Sequence, residues 1–276
     1  MIPLDKKQIF APPHRTRIIG REGEVHRSLP STMDAAREKA RDGAPDGYVV
    51  LAERQSAGRG RDGPWECPPA KGLLMTVVLR LGLRRTESKL ISFLGPVAAA
   101  EALQEFGCRA RIKWPNDIVV ADHGPDLSLR KLGGVLVEQV SRGDTAPIHL
   151  LGIGINVNQT PEELPADTKL PPTSLAAERP DGTVDRARVC RGLLEKLDEH
   201  YRKLHRGRTE ELPARWRALS CLIDKRIRAR VDGRTLTGRV TGLRATGEIL
   251  LRLPGGRQKA LSPERTTILV GAAEED

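Results

Sequence analysis

The sequence predicts an α/β (α+β) fold followed by a small β-barrel. Apolar, β-prone runs alternate with segments whose apolar residues recur at helical spacing, which is typical of strands connected by amphipathic helices. After residue 225 the pattern changes to short alternating stretches separated by Gly-containing turns, which favours a barrel. The predicted strands of the first region are residues 48–52, 73–81, 109–114, 131–138 and 148–158, and the predicted helices are residues 31–40, 86–106 and 185–205.

Three regions follow from this pattern along the 276 residues. Residues 1–24 form an N-terminal extension, of which the first part has no clear period and is expected to be a loosely held arm. Residues 25–219 hold the α/β region, and residues 220–276 hold the barrel. Two proline-containing stretches, residues 161–172 and 212–222, are expected to be a loop and a connector.

The composition is that of a soluble globular protein, with 30% charged and 38% hydrophobic residues. No stretch approaches the roughly 20 apolar residues that a membrane span requires, and the N-terminus lacks the apolar segment of a signal peptide. Cys67, Cys108, Cys190 and Cys221 lie far apart without a CxxC spacing, which argues against a zinc site or a disulfide framework. These features predict a cytoplasmic protein that does not associate with a membrane.

Positive charge is concentrated in the last quarter of the chain. The formal net charge is +10, and residues 201–276 hold 17 Lys and Arg against 9 Asp and Glu, a net of +8. A basic segment of this kind fits nucleic acid or an acidic protein partner, and it equally fits a solvated face. Aromatic residues are only 3% of the chain, so few platforms for stacking single-stranded bases are available.

A glycine- and arginine-rich loop follows the first predicted strand. Gly58 and Gly60 alternate with Arg59 and Arg61, and Trp65 comes shortly after. Glycine allows close approach of a ligand to the backbone, successive N–H groups form an anion site, and arginine forks suit carboxylate and phosphate oxygens. We therefore predict an anionic, phosphorylated ligand at this loop, with a solvated Gly/Arg hairpin as the alternative.

A helix start and a turn add further polar candidates. Ser31 followed by Asp34 resembles an N-terminal capping box, and hydroxyl groups at a helix N-terminus either cap it or also bind a small polar ligand. Lys113, Asn116 and Asp117 lie in a predicted turn. Asn116 and Asp117 either bond their own backbone there, or the three residues hold a nucleotide's phosphates, with Asp117 on a metal or positioning another group.

Two predicted strands carry glycine pairs. Lys131 precedes Gly133 and Gly134, and a later strand contains Gly152 and Gly154 on one face. Glycine inside a strand marks a bulge or the close approach of a ligand. The pairs predict room for a flat ligand beside the sheet, with the Lys131 ammonium available to a phosphate.

These motifs, in this order, resemble those of bacterial biotin–protein ligases, the biotin–[acetyl-CoA-carboxylase] ligases, over roughly residues 25–272. The matching elements are Ser31-Thr32-Met33, Gln55, Gly58-Arg59-Gly60-Arg61, Trp65, Lys113-Trp114-Pro115-Asn116-Asp117, Lys131 to Glu138 and Gly152 to Asn156. The resemblance implies a mixed-sheet catalytic domain of the biotin/lipoate ligase type and a C-terminal SH3-like domain. It also implies a two-step reaction: biotin and ATP give biotinyl-5′-AMP and pyrophosphate with Mg²⁺ assisting, and a lysine of a biotin carboxyl carrier domain then receives the biotinyl group.

The resemblance also implies a role for each motif residue. Its catalytic residues are Arg59, Arg61 and Lys131. Its biotin-binding residues are Ser31, Thr32, Met33, Gln55, Arg59, Gly60, Arg61, Lys131, Gly134 and Gly154. Its ATP-binding residues are Trp65, Lys113, Asn116, Asp117 and Asn156, and no residue is assigned as a resident metal ligand. The Gly/Arg loop is expected to close over the adenylate, because a mixed anhydride must be protected from water.

The sequence departs from the family pattern in three places. The segment between Arg61 and Trp65 is one residue shorter and lacks a further arginine, which concerns a pyrophosphate contact and the placement of Trp65. Met33 stands where asparagine is common, which predicts one altered biotin contact. The chain before residue 25 is too short for the DNA-binding module of the repressor-type ligases, so we expect no operator binding.

Two other functions are weighed against this one. A lipoate–protein ligase of related fold would carry an Arg-Arg…Gly-Gly-Gly…His-Asp pattern, which this sequence does not contain. A nucleic-acid-binding protein would use the basic barrel but would leave the glycine elements and the Lys113–Asp117 turn unexplained. We take the basic tail as, at most, a docking surface for an acidic carrier domain. Ligases of this kind occur as monomers and as homodimers, and the sequence favours neither.

Overall fold

The computed structural model describes residues 2–13, 15–61, 63–82, 88–122, 128–140 and 147–269. The helices are α1 (Lys6–Phe10), α2 (Thr32–Arg41), α3 (Ile91–Gln104), α4 (Arg186–His205) and α5 (Glu211–Leu219). The strands of the first region are β1 (Gly23–His26), β2 (Val49–Ala52), β3 (Leu73–Leu79), β4 (Ala110–Lys113), β5 (Asp117–Ala121), β6 (Leu129–Val140) and β7 (Ile148–Ile155). The C-terminal strands are β8 (Arg226–Val231), β9 (Arg234–Leu243), β10 (Ile249–Arg252), β11 (Gln258–Leu261) and β12 (Thr266–Leu269).

The first seven strands form one mixed sheet in the order β1-β2-β3-β7-β6-β5-β4. Only β1 and β2 pair in parallel, and the other neighbours are antiparallel. The sheet is covered on both faces, which explains why β2 and β3 read as continuous apolar runs. Val50 and Val78 pack toward α2, whereas Val49 and Val77 belong to the larger core that holds α3 and α4. The predicted mixed-sheet α/β fold is therefore confirmed.

The C-terminal region is a five-stranded antiparallel sheet in the order β11-β10-β9-β8-β12. Strand β8 alternates exposed arginines with buried apolar residues, as the period of two in its sequence predicts. The sheet is consistent with the SH3-like fold that the resemblance implies. Edge strand β12 lies against the first region at the cavity described below.

The N-terminal arm is more firmly held than its sequence predicts. Leu4, Ile9, Phe10 and Ile19 are buried in the main core. The carboxylate of Asp198 in α4 accepts the backbone N–H groups of residues 17–19 at 2.7–3.1 Å. The expectation of a loosely held arm was wrong. The sequence did not reveal the burial of the arm, because α1 is only five residues long and shows no period by which its buried side could be recognised.

Three other elements differ from the sequence-based prediction: one predicted connector is a helix, and two strands were not predicted. The expected connector at residues 212–222 is largely α5, in which Pro213 lies in the first turn, where it leaves no intrahelical hydrogen bond unmade. Strands β1 and β5 were not predicted, because β1 contains a single apolar residue, Val25, and β5 begins within the predicted turn at Asp117. None of the helices in the described ranges is long and apolar enough to cross a bilayer.

Candidate active site

A cavity of about 510 Å³ lies between the two regions of the molecule. Its walls come from the N-terminus of α2, the Gly/Arg loop, the β4–β5 turn, strands β3, β6 and β7, residues 165–172 and strand β12. All of the residues that the resemblance assigns to ligand binding line this one cavity. They are Ser31, Thr32, Met33, Gln55, Arg59, Gly60, Arg61, Trp65, Lys113, Asn116, Asp117, Lys131, Gly134, Gly154 and Asn156.

The inner end of the cavity is a hydrogen-bonded cluster of small polar side chains. Gln55 Oε1 accepts from the backbone N–H of Thr32 at 2.7 Å and from its hydroxyl at 2.9 Å. Thr76 of β3 shares a further hydrogen bond with the Thr32 hydroxyl at 2.9 Å. Ser31 caps α2 by accepting the N–H of Met33 at 3.2 Å. The cluster offers hydroxyl and amide groups suited to a small polar head-group.

The floor of the cavity is a glycine shelf, formed by Gly134 of β6 and Gly154 of β7. The two glycines are directly opposite each other in the ladder, so two adjacent positions on one face have no side chain. The indole of Trp65 lies on this shelf: a Cβ at Gly154 would stand 2.6 Å from Trp65 Cε2, and a Cβ at Gly134 would stand 3.5 Å from the same ring system. The shelf therefore accommodates a flat, largely apolar group.

A carboxylate between two lysines forms one wall. Asp117 accepts from Lys131 Nζ at 2.6 Å and lies 3.2 Å from Lys113 Nζ. The β4–β5 hairpin places Lys113 opposite Asp117, and β6 brings Lys131 alongside. Burial alone would raise the pKa of Asp117, but the two lysines outweigh it and hold that pKa below its ordinary value. The three charges sum to +1, so this wall attracts an anion.

The Gly/Arg loop is folded back on itself as a hairpin. Gly60 N–H donates to Gly63 at 2.8 Å, and Trp65 N–H donates to Gly58 at 2.9 Å. A Cβ at Gly58 would lie 2.4 Å from the Trp65 carbonyl, so only glycine permits this approach. The backbone is therefore a hairpin, but not the solvated one of the alternative, because it carries Arg61 and Trp65 into the cavity wall.

Both arginines of the loop already have partners. The Arg59 fork donates to both carboxylate oxygens of Asp34 at 2.7 and 2.8 Å and lies 3.8 Å from Glu138. The hydrogen bond from Arg59 lowers the pKa of Asp34 below its ordinary value. Arg61 donates to the carbonyl of Pro263, just before β12. The loop thus bridges α2, in the first region, to the C-terminal sheet.

The two asparagines in the cavity wall support neighbouring backbone. Asn116 donates to the Val135 carbonyl at 2.6 Å, which fixes the turn against β6. Asn156 donates to the Thr173 carbonyl at 3.0 Å and accepts from Gln159 at 2.9 Å. By contrast, Trp65 Nε1 and Thr266 Oγ1 are buried without a hydrogen-bond partner among the described residues. Buried polar atoms of this kind are normally satisfied, so these two are available to a ligand.

The similarity to known proteins agrees with this geometry. The model of the biotin/lipoate A/B protein ligase family matches residues 25–158. The bifunctional ligase/repressor BirA of Bacillus subtilis is 31% identical over 252 residues, which are 91% of this chain and 75% of its own length. The chain belongs to the biotin/lipoate A/B protein ligase family.

Two further family members match the chain nearly end to end. The biotin–[acetyl-CoA-carboxylase] ligase of Mycobacterium tuberculosis is 30% identical over 277 residues, which cover 94% of each protein. The structure of the biotin protein ligase of Aquifex aeolicus in complex with biotin and ATP superposes with a TM-score of 0.73 at 25% identity, covering 91% of this chain and all of that one. The family relationship thus extends through the C-terminal sheet.

Some cavity residues of this family member were not predicted from the sequence. Thr76 is the single polar residue in the apolar run of β3, and that signal could have identified it. The β12 residues that line the cavity carry no local signal, because they meet the first region only through the tertiary fold. The contacts of Asp34 and Glu138 with Arg59, beside the cavity, were not predicted for the same reason. A further unpredicted part of the wall is residues 165–172, of which Pro165, Asp167, Thr168, Lys169, Leu170 and Pro172 line the cavity.

The described residues do not form a metal site. They contain no group of three or more His, Cys, Asp or Glu side chains placed to hold an ion. Asp117, the carboxylate in the cavity wall, has its two oxygens engaged by Lys131 and Lys113. A Mg²⁺ ion needs several free oxygen ligands, so the donor set does not fit a resident metal, and of the two roles predicted for Asp117 the positioning role fits better.

Proposed function

We propose that this protein is a biotin–protein ligase. It joins the carboxylate of biotin to the α-phosphate of ATP, which releases pyrophosphate and leaves biotinyl-5′-AMP. The ε-amine of a lysine in a biotin carboxyl carrier domain then attacks the acyl carbon, and AMP leaves. The observation that carries the proposal is that one cavity joins a polar cluster, a flat apolar shelf and a lysine-rich wall, which are the three surfaces that a biotinyl adenylate requires.

The polar cluster and the shelf together fit the fused rings of biotin. In this proposal Ser31, Thr32 and Gln55 hydrogen-bond the ring head-group, whose N–H and C=O groups need matching acceptors and donors. The sulfur-containing ring rests on Gly134 and Gly154, where a side chain would exclude it. The Trp65 indole stands on the same shelf in the described conformation, so it moves when the rings bind.

The lysine wall carries the chemical step. Adenylation brings the carboxylate of biotin to the negatively charged α-phosphate, so fixed cations must offset their repulsion and the charge that develops in the transition state. Lys131 stands beside the shelf, with Nζ 5.7 Å from the Trp65 ring centroid, and it touches the carboxylate and the transferring phosphate. Asp117, which also contacts Lys113, holds Lys131 in position.

The Gly/Arg loop supplies the remaining positive charge. Arg59 is held by Asp34 on a half-exposed surface, where such a pair contributes little stability, so a bound carboxylate or phosphate can take its place. Arg61 and Gly60 close over the adenylate in the same movement. Trp65, Asn116 and Asn156 contribute to the ATP site. Mg²⁺ accompanies the phosphates of ATP as part of that substrate, and no residue of the chain is assigned to it.

The partner in this proposal is the biotin carboxyl carrier domain of acetyl-CoA carboxylase or a related carboxylase. The reaction is placed in the cytoplasm, where ATP and such carriers are found together.

Biotin-dependent exchange of labelled pyrophosphate into ATP tests the proposal. We expect exchange with biotin but not with lipoate, and its loss in Arg59→Ala. The matched control is Arg54→Ala, an exposed arginine outside the cavity wall, which should keep full exchange. Exchange that requires lipoate instead of biotin, or no exchange with either acid, would overturn the proposal.

A further inference from the structure

An arginine face covers the outer side of the C-terminal sheet. We define it as Arg226, Arg228 and Arg230 of β8, Arg239 of β9 and Arg252 of β10, all of them exposed. Arg226, Arg239 and Arg252 are direct cross-strand neighbours in three adjacent strands, and neighbouring strands lie only about 4.8 Å apart. Positive charge is therefore concentrated in a continuous row rather than scattered over the surface.

The charges of this face are not neutralised within the chain. Within the described ranges, none of the five arginines has a carboxylate partner. Among them, only Arg239 makes a side-chain hydrogen bond with a described residue, and it donates this bond to the backbone carbonyl of Asp224. Like charges directly opposite each other destabilise a sheet. The row therefore costs stability and must be explained by something other than folding.

Protection of a sheet edge does not explain the row. Charged residues that discourage edge-to-edge pairing belong on edge strands, which here are β11 and β12. Strands β8, β9 and β10 are the three central strands. The arginine face thus lies on the central strands of the sheet and is exposed to solvent. This arrangement is expected of a surface that meets an anionic partner.

The arginine face is continuous with the mouth of the active-site cavity. Arg230 lies directly opposite Thr267 of β12, so the two side chains share the outer side of the sheet. Thr267 also lines the cavity. Arg61, from the opposite wall, contacts the chain at Pro263, just before β12. A macromolecule that approaches the cavity over β12 would therefore meet the arginine face.

We propose that the arginine face docks the acidic surface of the acceptor carrier domain and guides its lysine to the cavity. This inference rests on the proposed function. The expected partner is a protein domain with carboxylates beside its acceptor lysine. Carboxylates match arginine forks, and the arginine face lies beside the cavity that the acceptor lysine must enter. Nucleic acid is the less favoured occupant, since the described face carries no aromatic side chain on which bases would stack.

The test separates the two half-reactions. The triple variant Arg226→Gln/Arg228→Gln/Arg230→Gln is compared with a control triple, Arg21→Gln/Arg41→Gln/Arg206→Gln, which removes the same charge from exposed arginines that line neither the cavity nor the C-terminal sheet. Pyrophosphate exchange reports adenylation without the carrier. Transfer of labelled biotin to the carrier domain of the same organism's acetyl-CoA carboxylase, at several salt concentrations, reports docking.

We expect the β8 triple variant to raise the KM for the carrier about ten-fold with little change in kcat, and to flatten the salt dependence of that KM, because peripheral charges act mainly on encounter. Exchange should match the wild type. Thermal unfolding should occur at the same or a slightly higher temperature, because the variant relieves the repulsion between Arg226 and Arg239. Arg252→Gln, two strands farther from the cavity, should have a smaller effect than Arg230→Gln.

An unchanged carrier KM and salt slope in the β8 triple variant, with normal exchange, would overturn the inference while leaving the proposed function intact. The inference also fails if the variant instead loses affinity for a duplex DNA oligonucleotide and keeps its carrier KM. Absence of exchange in the wild type would contradict the proposed function itself.

Discussion

The cavity and the arginine face treat positive charge in opposite ways. In the cavity, Lys113 and Lys131 are held against Asp117, and Arg59 is held against Asp34. On the arginine face, the described guanidinium groups have no carboxylate partner. Paired cations are fixed in position and oriented before a ligand arrives, which suits catalysis on a small anion. Unpaired, solvated cations act over about a Debye length, which suits the encounter with a large partner.

The largest effect is expected when the cavity loses its central cation. Lys131→Ala removes the ammonium that offsets charge developing between the carboxylate and the α-phosphate, so kcat for pyrophosphate exchange should fall about 10³-fold. Lys203→Ala, which removes an ammonium paired with Glu199 on α4, is the matched control and should retain activity. If exchange in Lys131→Ala stayed within a few-fold of wild type, the cavity would not differ from the arginine face in the way proposed.

The glycine shelf allows a graded test that leaves every charge in place. A Cβ at Gly154 would enter the space of the Trp65 ring, whereas one at Gly134 reaches only ordinary contact distance. Gly154→Ala should raise the KM for biotin between about 5- and 100-fold, equivalent to an overpacking cost of about 1–3 kcal/mol, and Gly134→Ala should raise it less. Gly82→Ala, where no atom lies within 4 Å of the added carbon, should be neutral. Equal KM values for the two shelf variants would contradict the assignment.

A substitution of Asp117 tests how far the position of Lys113 and Lys131 depends on the carboxylate between them. Asp117→Asn leaves the buried Lys113 and the partly buried Lys131 without their shared partner. We expect a loss of about 2–4 kcal/mol in the free energy of unfolding. Urea denaturation measures it. Asp122→Asn, which removes the exposed partner of Arg130, should change stability little. If Asp117→Asn and Asp122→Asn changed the free energy of unfolding equally, the Lys113–Asp117–Lys131 cluster would be solvated like the arginine face.

The same variant has a defined pH dependence. Because the pKa of Asp117 is lower in the folded protein than its ordinary value of 3.8, the stabilisation is complete above about pH 4 and is lost as the pH falls through the lowered pKa. The difference in unfolding free energy between wild type and Asp117→Asn should therefore be constant near neutral pH and shrink on acidification. A difference that grows below pH 4 would have the wrong sign.

The smallest expected effect is spectroscopic and concerns the movement of Trp65. Trp216 is fully buried and Trp114 donates to the Gly247 carbonyl at 2.9 Å, so Trp65 is the indole that a bound ligand can displace. Biotin should change the emission of the wild type, and Trp65→Phe should abolish the change. An equal response in both proteins would mean that biotin leaves the indole on the shelf.

The sequence predicted which residues gather at the cavity, because most of the motifs follow or interrupt a strand and Ser31 to Met33 open helix α2. The β4–β5 turn brings Lys113 and Asp117 together through hairpin register alone, and glycines at residues 134 and 154 marked the open shelf. Three features depended on tertiary packing and could not be predicted: the indole on the shelf, the Asp34 partner of Arg59, and the β12 wall. The short helices α1 and α5, the second with Pro213 in its first turn, were missed because neither has enough turns to establish a period.

The buried end of the N-terminal arm has a consequence for the ligand loop. Glu53 lies just before that loop, accepts the Leu4 N–H, and pairs with Arg186 at 2.7 Å; Arg186 in turn donates to the carbonyl of Ile2 at 3.0 Å. The first residues of the chain and the base of the Gly/Arg loop therefore stabilise each other, although 49 positions separate Leu4 from Glu53. Removing the arm would expose the buried Glu53–Arg186 pair to water. It would therefore disturb the base of the Gly/Arg loop as a substitution of Glu53 would.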